Sequence, residues 1–152
     1  MTTTMVNLSL YTVPAAWVLC IAPHIYSVQL FQNATSKFDN KQPRFLVQSV
    51  VESQNIDVAT KGRILRADFA QHNGFENLGF FAAAVVAGNM AKLDLFWLNG
   101  LTVGYVLSRI LYDLIYIHNT TESLAATRSA VYMLGVADIL TLFTMAANAL
   151  RS

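Results

Sequence analysis

The sequence predicts an all-α integral membrane protein, a bundle of four antiparallel transmembrane helices. Hydrophobic residues make up 55% of the 152 residues, and charged residues make up only 12%, about half the share usual in a soluble domain. The mean hydropathy of +0.43 agrees with this class. Four apolar segments are each long enough to cross a bilayer as a helix, which takes about 20 residues. Residues 1–152 are therefore predicted to form a single transmembrane domain.

Charge and cysteine content exclude several classes of function. The formal net charge is only +1, which argues against a polyanionic partner, and we predict no nucleic-acid partner. Cys20 is the single cysteine, which excludes an internal disulfide and a cysteine-rich metal site, and we predict no bound metal. Because Cys20 lies in an apolar run, its thiol is predicted to be buried and inert.

The first helix is predicted at about residues 7–30, an apolar segment long enough to span the bilayer. Residues 31–65 form a polar loop. Together with Arg66, this loop holds six of the ten lysines and arginines, so the positive-inside rule predicts that it is cytoplasmic. Within it, the segment FLVQSVVESQN predicts a short helix at the membrane surface.

The remaining helices are predicted at about residues 66–91, 95–117 and 125–149. Lys92, Leu93 and Asp94 form a tight turn on the non-cytoplasmic side, and HNTTES is a short cytoplasmic loop in which Thr121 can cap the last helix. In the third helix, small residues recur at every fourth position and allow another helix to approach closely. These residues are Gly100, Gly104 and Ser108.

A polar stripe opens the second helix, because four polar residues share one face at helical spacing: Arg66, Asn73, Glu76 and Asn77. A carboxylate at membrane depth needs a cation from another helix. Residue 76 is ten residues after residue 66, and residue 109 is ten residues before residue 119. Both side chains therefore lie about 15 Å from the cytoplasmic helix ends. We predict a structural ion pair between Glu76 and Arg109.

A second polar layer lies nearer the cytoplasmic surface. It combines an arginine with phenols, an amide and a hydroxyl, which suits a small anionic ligand with several hydrogen-bonding groups. Such an arginine can also stabilise a thiolate. The residues are His72, Asn73, Tyr112, Tyr116, Arg128, Ser129 and Tyr132. His24 and Asp138 are further candidates for acid or base groups, although either can equally be a hydrogen-bonded interior side chain.

Three motifs, in this order along the helices, resemble the MAPEG family, membrane-associated proteins in eicosanoid and glutathione metabolism. They are NGFEN in the second helix, R-x-x-Y-x-x-x-Y in the third, and RS-x-x-Y at the start of the fourth. The segment DN-x-x-PR, from Asp39 to Arg44, and FAAAVVAGN after the glutamate resemble the microbial and fungal branch. The resemblance extends from about His24 to Tyr132.

The resemblance implies a homotrimer with glutathione as cosubstrate, bound between neighbouring subunits and reached from the cytoplasm. It also implies residence in the endoplasmic reticulum or another endomembrane. By position, Arg128 would stabilise the glutathione thiolate, and Arg109 would be the interior partner of Glu76. The residues that would bind glutathione are Asn73, Glu76, Tyr112, Tyr116, Ser129 and Tyr132.

The chain also differs from the family pattern at three positions. Gln29 and Gln32 lie in the region where mammalian members carry an arginine, and His72 stands where some members have another arginine. Two cations of the family pattern are therefore absent. A cation of this type typically contributes about 1.5–3 kcal/mol to glutathione binding through a charged hydrogen bond.

The predicted function is a glutathione-dependent membrane enzyme. It would conjugate, reduce or isomerise a lipophilic electrophile that arrives from the lipid bilayer. Two alternatives stay open. One is a non-catalytic lipid-binding scaffold of the same fold. The other is a glutathione-independent biosynthetic isomerase or cyclase on a lipophilic metabolite, with Asp138, His24 or His72 as the acid or base.

Overall fold

The computed structural model describes residues 5–35 and 41–151, and every regular element in those ranges is helical. Lys37, Asp39 and Asn40, and with them the start of the DN-x-x-PR segment, lie outside the described residues. In chain order, the helices are α1 (Ser9–Thr35), α2 (Leu46–Glu52), α3 (Val58–Met90), α4 (Leu95–His118) and α5 (Glu122–Arg151). A 3-10 turn at Pro43–Phe45 precedes α2. The predicted all-α bundle of four long helices is confirmed.

Three of the long helices, α1, α4 and α5, are long and apolar enough to cross a membrane. They expose large apolar side chains, among them Trp17, Leu107 and Leu134, as helices in contact with lipid do. The helix α3 has 33 residues, which is about 50 Å at the helical rise. It is not among the three because its first half is rich in charged and amide side chains. The predicted span at residues 66–91 therefore stays a prediction.

Two helices extend beyond their predicted ends into the polar loop. The helix α1 continues to Thr35 rather than ending near residue 30, and α3 begins at Val58 rather than near residue 66. The helix α3 begins early because a capping residue sets its first turn. An Asp57 carboxylate oxygen accepts a hydrogen bond of 3.0 Å from the Thr60 N–H. Hydrogen bonding to Thr60 also lowers the pKa of the Asp57 carboxyl. The loop predicted at residues 31–65 is thus partly helical.

A tight turn joins α3 to α4, as predicted. Lys92 adopts a positive φ of 52°. Its N–H donates to the Asn89 carbonyl, and the N–H of Leu93 donates to the Gly88 carbonyl, each at 3.1 Å. These two bonds form a Schellman motif, which ends α3. Asp94 then caps α4 by accepting a hydrogen bond from Phe96.

Two clusters of buried apolar side chains hold the bundle together. The central one contains a stacked pair, Phe81 of α3 and Tyr105 of α4, whose ring centres are 3.9 Å apart. The second cluster docks α2 against α1 and α3. It consists of Phe31, Leu46, Val50, Ile56 and Ile64. This docking places the 3-10 turn and α2 beside the polar end of α3.

Close contacts at three glycines set how the helices are rotated against one another. A Cβ on Gly74 of α3 would lie 2.9 Å from Cys20 Sγ, so α1 and α3 meet there. A Cβ on Gly135 of α5 would lie 2.7 Å from Ser108 Oγ, and one on Gly104 would lie 3.3 Å from the Asp138 carboxylate. The predicted small face of α4 therefore packs against α5 within one chain. Gly100 is not part of this contact, because a Cβ there meets no described atom within 4 Å.

Candidate functional site

Five of the predicted site residues line one open cavity of about 240 Å³. We call it the Arg128 cavity. It lies where α4 ends and α5 begins, and α3 forms its third wall. Its lining residues are Asn73, Tyr112, Arg128, Ser129, Tyr132 and Met133. The structure thus brings together, from three helices, an arginine, an amide, a hydroxyl and two phenols that the sequence had indicated.

Arg128 is the charged group of this cavity. Its guanidinium carbon lies 4.5 Å from the ring centre of Tyr116, so a cation–π contact holds the side chain in place. In the described part of the chain, Arg128 forms no ion pair and donates no hydrogen bond. The guanidinium is only partly buried, and its N–H groups are therefore available to an anionic ligand.

The three tyrosines form a connected wall. The ring centres of Tyr112 and Tyr116 lie 5.5 Å apart, and those of Tyr112 and Tyr132 lie 5.9 Å apart. Tyr112 is buried, whereas Tyr116 and Tyr132 are half-buried. Tyr116 does not line the cavity itself but supports Arg128. Two of the three tyrosines, Tyr112 and Tyr132, thus line the same cavity as Arg128.

Asn77 belongs to the site and was not among the predicted site residues. Its side-chain amide lies 3.3 Å from the Tyr132 hydroxyl and also donates to the Asn73 carbonyl at 3.0 Å. Asn77 thereby links α3 to α5 and orients a phenol of the cavity. The sequence placed it on the polar stripe of the second helix, one turn from Asn73, but gave it no role in the site.

The predicted ion pair between Glu76 and Arg109 is wrong within one chain. The side chain of Glu76 is exposed, and the ion pair that the described residues do show joins His24 to Asp68. Arg109 is 4% exposed and points toward α5, where Nη2 lies 3.5 Å from the Tyr132 carbonyl. The two residues are level along the bundle, but their helices are rotated so that one side chain points outward and the other inward.

Aromatic rings surround the buried Arg109, and no carboxylate of the described residues lies within ion-pair distance of it. Its guanidinium carbon lies 4.7 Å from the ring centre of Tyr112, 5.2 Å from that of Tyr132 and 5.4 Å from that of Tyr105. Asp113, one turn further along α4, interacts with it electrostatically. Among the described residues, Nε and Nη1 of Arg109 have no hydrogen-bond partner. Arg109 therefore supports the wall of tyrosines from behind and does not line the Arg128 cavity.

His72 and His24 lie elsewhere, in a second cavity of about 510 Å³, which we call the His24 cavity. The Nδ1 atom of His24 is 3.1 Å from a carboxylate oxygen of Asp68, a residue that the sequence analysis did not single out. His72, predicted to bind the same ligand as Asn73, faces the His24 cavity instead, because adjacent helical residues point in different directions. Asp138 packs over Gly104 and lines neither cavity.

Both cavities open at the same end of the bundle. Arg66, near the start of α3, donates a hydrogen bond of 3.0 Å from Nε to the carbonyl of Ile117, near the end of α4. This contact places the beginning of α3 beside the loop between α4 and α5. The end of the bundle that carries the polar loop is thus also the end that carries the Arg128 cavity.

The fold and this site define an all-α integral membrane protein with an arginine-bearing polar cavity at one end of its helices. The sequence model of the MAPEG family matches residues 8–148, and the chain belongs to this family. No curated protein and no solved structure matches the chain. The predicted family is thereby confirmed, while the microbial and fungal branch stays a prediction. The family includes glutathione transferases, peroxidases and isomerases, so membership supports, in general terms, a glutathione-related function in a membrane.

Proposed function

We propose that the protein is a glutathione-dependent membrane enzyme and that the Arg128 cavity holds the tripeptide. One observation carries the proposal: Arg128 lines a cavity of phenols and an amide, with no ion pair in the described part of the chain. A cation beside a thiol favours its deprotonated form, which is the nucleophile. The Tyr116 ring holds the guanidinium in place, so little ordering is needed when the anion binds.

Each residue of the cavity has a role in this proposal. Arg128 stabilises the glutathione thiolate, which attacks or reduces a lipophilic electrophile that enters from the bilayer. The hydroxyls of Tyr112 and Ser129 bind glutathione carboxylates or amides, and Asn73 presents its side-chain oxygen to a backbone N–H of the tripeptide. Tyr132, oriented by Asn77, supplies a further hydroxyl near the sulfur.

We further propose that a neighbouring subunit completes the site in a homotrimer. A cavity of about 240 Å³ is smaller than most ligand sites, which range from about 300 to 1,000 Å³, and it is open on one side. Glu76 is exposed on the outer face of α3, one turn from Asn73, where it can meet either glutathione or the next subunit. One chain therefore supplies only part of the surface that a tripeptide needs.

The proposed location is the endoplasmic reticulum or another endomembrane, with the α1–α3 loop and the Arg128 cavity facing the cytoplasm. The segment from residue 31 to Arg66 holds six of the ten lysines and arginines, which favours the cytoplasmic side. Glutathione is then reached from the aqueous side, and the electrophile reaches the same site from the lipid.

The proposal is tested by titrating the purified protein with glutathione and following the ultraviolet absorbance of the thiolate against pH. In the wild type, the thiolate should form at a lower pH than in free glutathione. Arg128→Gln should bind glutathione more weakly and abolish this shift while keeping fold and oligomer. The matched control is Arg63→Gln, an exposed arginine outside both cavities, which should leave the shift unchanged. Absence of glutathione binding by the wild type contradicts the proposal and favours the scaffold or the glutathione-independent alternative.

A further inference from the structure

The His24 cavity holds a histidine that a buried carboxylate orients. The Nδ1 atom of His24 on α1 lies 3.1 Å from the carboxylate of Asp68 on α3. The Asp68 side chain is 8% exposed and that of His24 is 26% exposed, so the carboxylate is covered while the imidazole reaches the cavity. The Nε2 atom of His24 has no hydrogen-bond partner in the described residues. This is the arrangement of a base with its orienting group.

The other walls of this cavity supply a cation and an apolar surface. Arg44, in the 3-10 turn, and His72, on α3, line it together with Gln71. Leu46 and Val47 of α2 line it as well. An arginine can stabilise an oxyanion that forms beside the base. The apolar wall can cover the hydrocarbon part of an amphipathic ligand. None of these residues lines the Arg128 cavity.

We propose that the His24 cavity is a second site, at which His24 transfers a proton within an enolisable carbonyl compound of amphipathic shape. The Nε2 atom removes a proton from the carbon next to the carbonyl. The electron pair of that C–H bond moves to form the enolate, whose oxygen Arg44 stabilises. The imidazolium then returns the proton to another carbon of the same conjugated system, which shifts a double bond. Atoms and electrons balance without any co-reactant, and glutathione takes no part.

Asp68 is a positioning residue in this proposal, since it acts through His24. Its carboxylate holds the Nδ1–H of the imidazole, which leaves Nε2 as the atom that accepts the proton. A clamp between α1 and α3 would need neither the cavity nor Arg44. Binding of an oxyanion in the cavity therefore distinguishes a positioning role of Asp68 from a purely structural clamp between the two helices.

The experiment uses para-nitrophenol, whose phenolate is a planar, delocalised oxyanion like an enolate. At a pH where free para-nitrophenol is protonated, the full-length protein in detergent should bind it as the coloured phenolate. His24→Gln should abolish the phenolate absorbance, and Asp68→Asn should reduce it. Arg44→Gln should weaken binding by about tenfold or more, the effect expected of one charged hydrogen bond. The control Arg63→Gln, which removes an exposed arginine outside both cavities, should bind as the wild type does. A wild type without phenolate absorbance above that of detergent alone, or an unchanged His24→Gln, overturns the proposal.

A second measurement needs no variant. Diethyl pyrocarbonate acylates accessible imidazole nitrogens, and mass spectrometry locates the modified histidine. His24 should be modified in the native protein and protected by para-nitrophenol. His118, exposed at the end of α4, should be modified whether or not the phenol is present. An unmodified His24, or one that the phenol does not protect, overturns the proposal even if every substituted protein fails to fold.

Discussion

The hydroxyl of Tyr132 on α5 and the side-chain amide of Asn77 on α3 lie 3.3 Å apart. This contact joins two helices that are distant in sequence and fixes one phenol of the Arg128 cavity. It also connects the two layers of the site, because the backbone carbonyl of the same tyrosine accepts a hydrogen bond from the buried Arg109. Tyr132 thus contacts the α3 wall through its hydroxyl and the buried cation through its backbone.

Tyr132→Phe removes this hydroxyl and leaves the ring in place. The net loss of one hydrogen bond typically costs about 0.5–1.5 kcal/mol of unfolding free energy, measured by thermal or denaturant unfolding in detergent. Tyr116→Phe is the matched control, because the Tyr116 hydroxyl has no hydrogen-bond partner in the described residues. If both variants lose equal stability, the bond between Asn77 and Tyr132 is not what holds these helices in register.

Gly135→Ala should destabilise the bundle by about 1–3 kcal/mol, as overpacking of a tight core does. The new Cβ would lie 2.7 Å from Ser108 Oγ and 3.0 Å from Arg109 Nη2, so these buried side chains must shift or α4 and α5 must separate. The control is Gly100→Ala on the same helix pair, where no atom lies within 4 Å of the new Cβ. That change should leave the melting temperature unchanged or slightly higher, because alanine favours helix. Equal melting temperatures for both variants would contradict the close contact at Gly135.

Glu76 and Arg109 should make independent contributions to the stability of the subunit. Glu76 is exposed and Arg109 is buried among aromatic rings, so no direct interaction joins them in one chain. A double-mutant cycle of Glu76→Gln and Arg109→Met, read by unfolding of the detergent-solubilised protein, should give a coupling energy within about 0.5 kcal/mol of zero. A coupling of several kcal/mol would restore the ion pair that the sequence predicted, and would place it between subunits.

The orientation of the chain in the membrane can be read with a single introduced cysteine. Gln48→Cys puts a thiol on the exposed face of α2, and Cys20, the only native cysteine, is buried and should stay unlabelled. In sealed vesicles, a membrane-impermeant maleimide should reach the introduced thiol from the cytoplasmic side only. Lys92→Cys, in the turn at the other end of the bundle, is the control and should show the opposite accessibility. Labelling of the Gln48→Cys variant from the lumenal side would invert the proposed topology.

The observed helix ends show which boundaries local sequence rules can predict and which they cannot. The start of α4 at Leu95 agrees with the predicted residue 95, because Asp94 caps it directly after a turn that the sequence marks clearly. The start of α3 at Val58 was missed, since the apolar pattern begins only later. The sequence analysis placed this helix start by hydropathy alone and did not consider the capping residue Asp57.

The sequence alone determined the fold class, the family and the height of each polar residue along its helix, because composition, motif order and the rise per residue are properties of the chain itself. It also indicated five of the residues that line the Arg128 cavity. Only the tertiary structure decided which side chains meet. The contacts at Gly74 and Gly135 set the rotation of each helix about its axis, and that rotation turns Arg109 toward the tyrosines, Glu76 outward and His24 onto Asp68. A helical pattern specifies which residues share a face of one helix, but packing between helices decides what that face contacts.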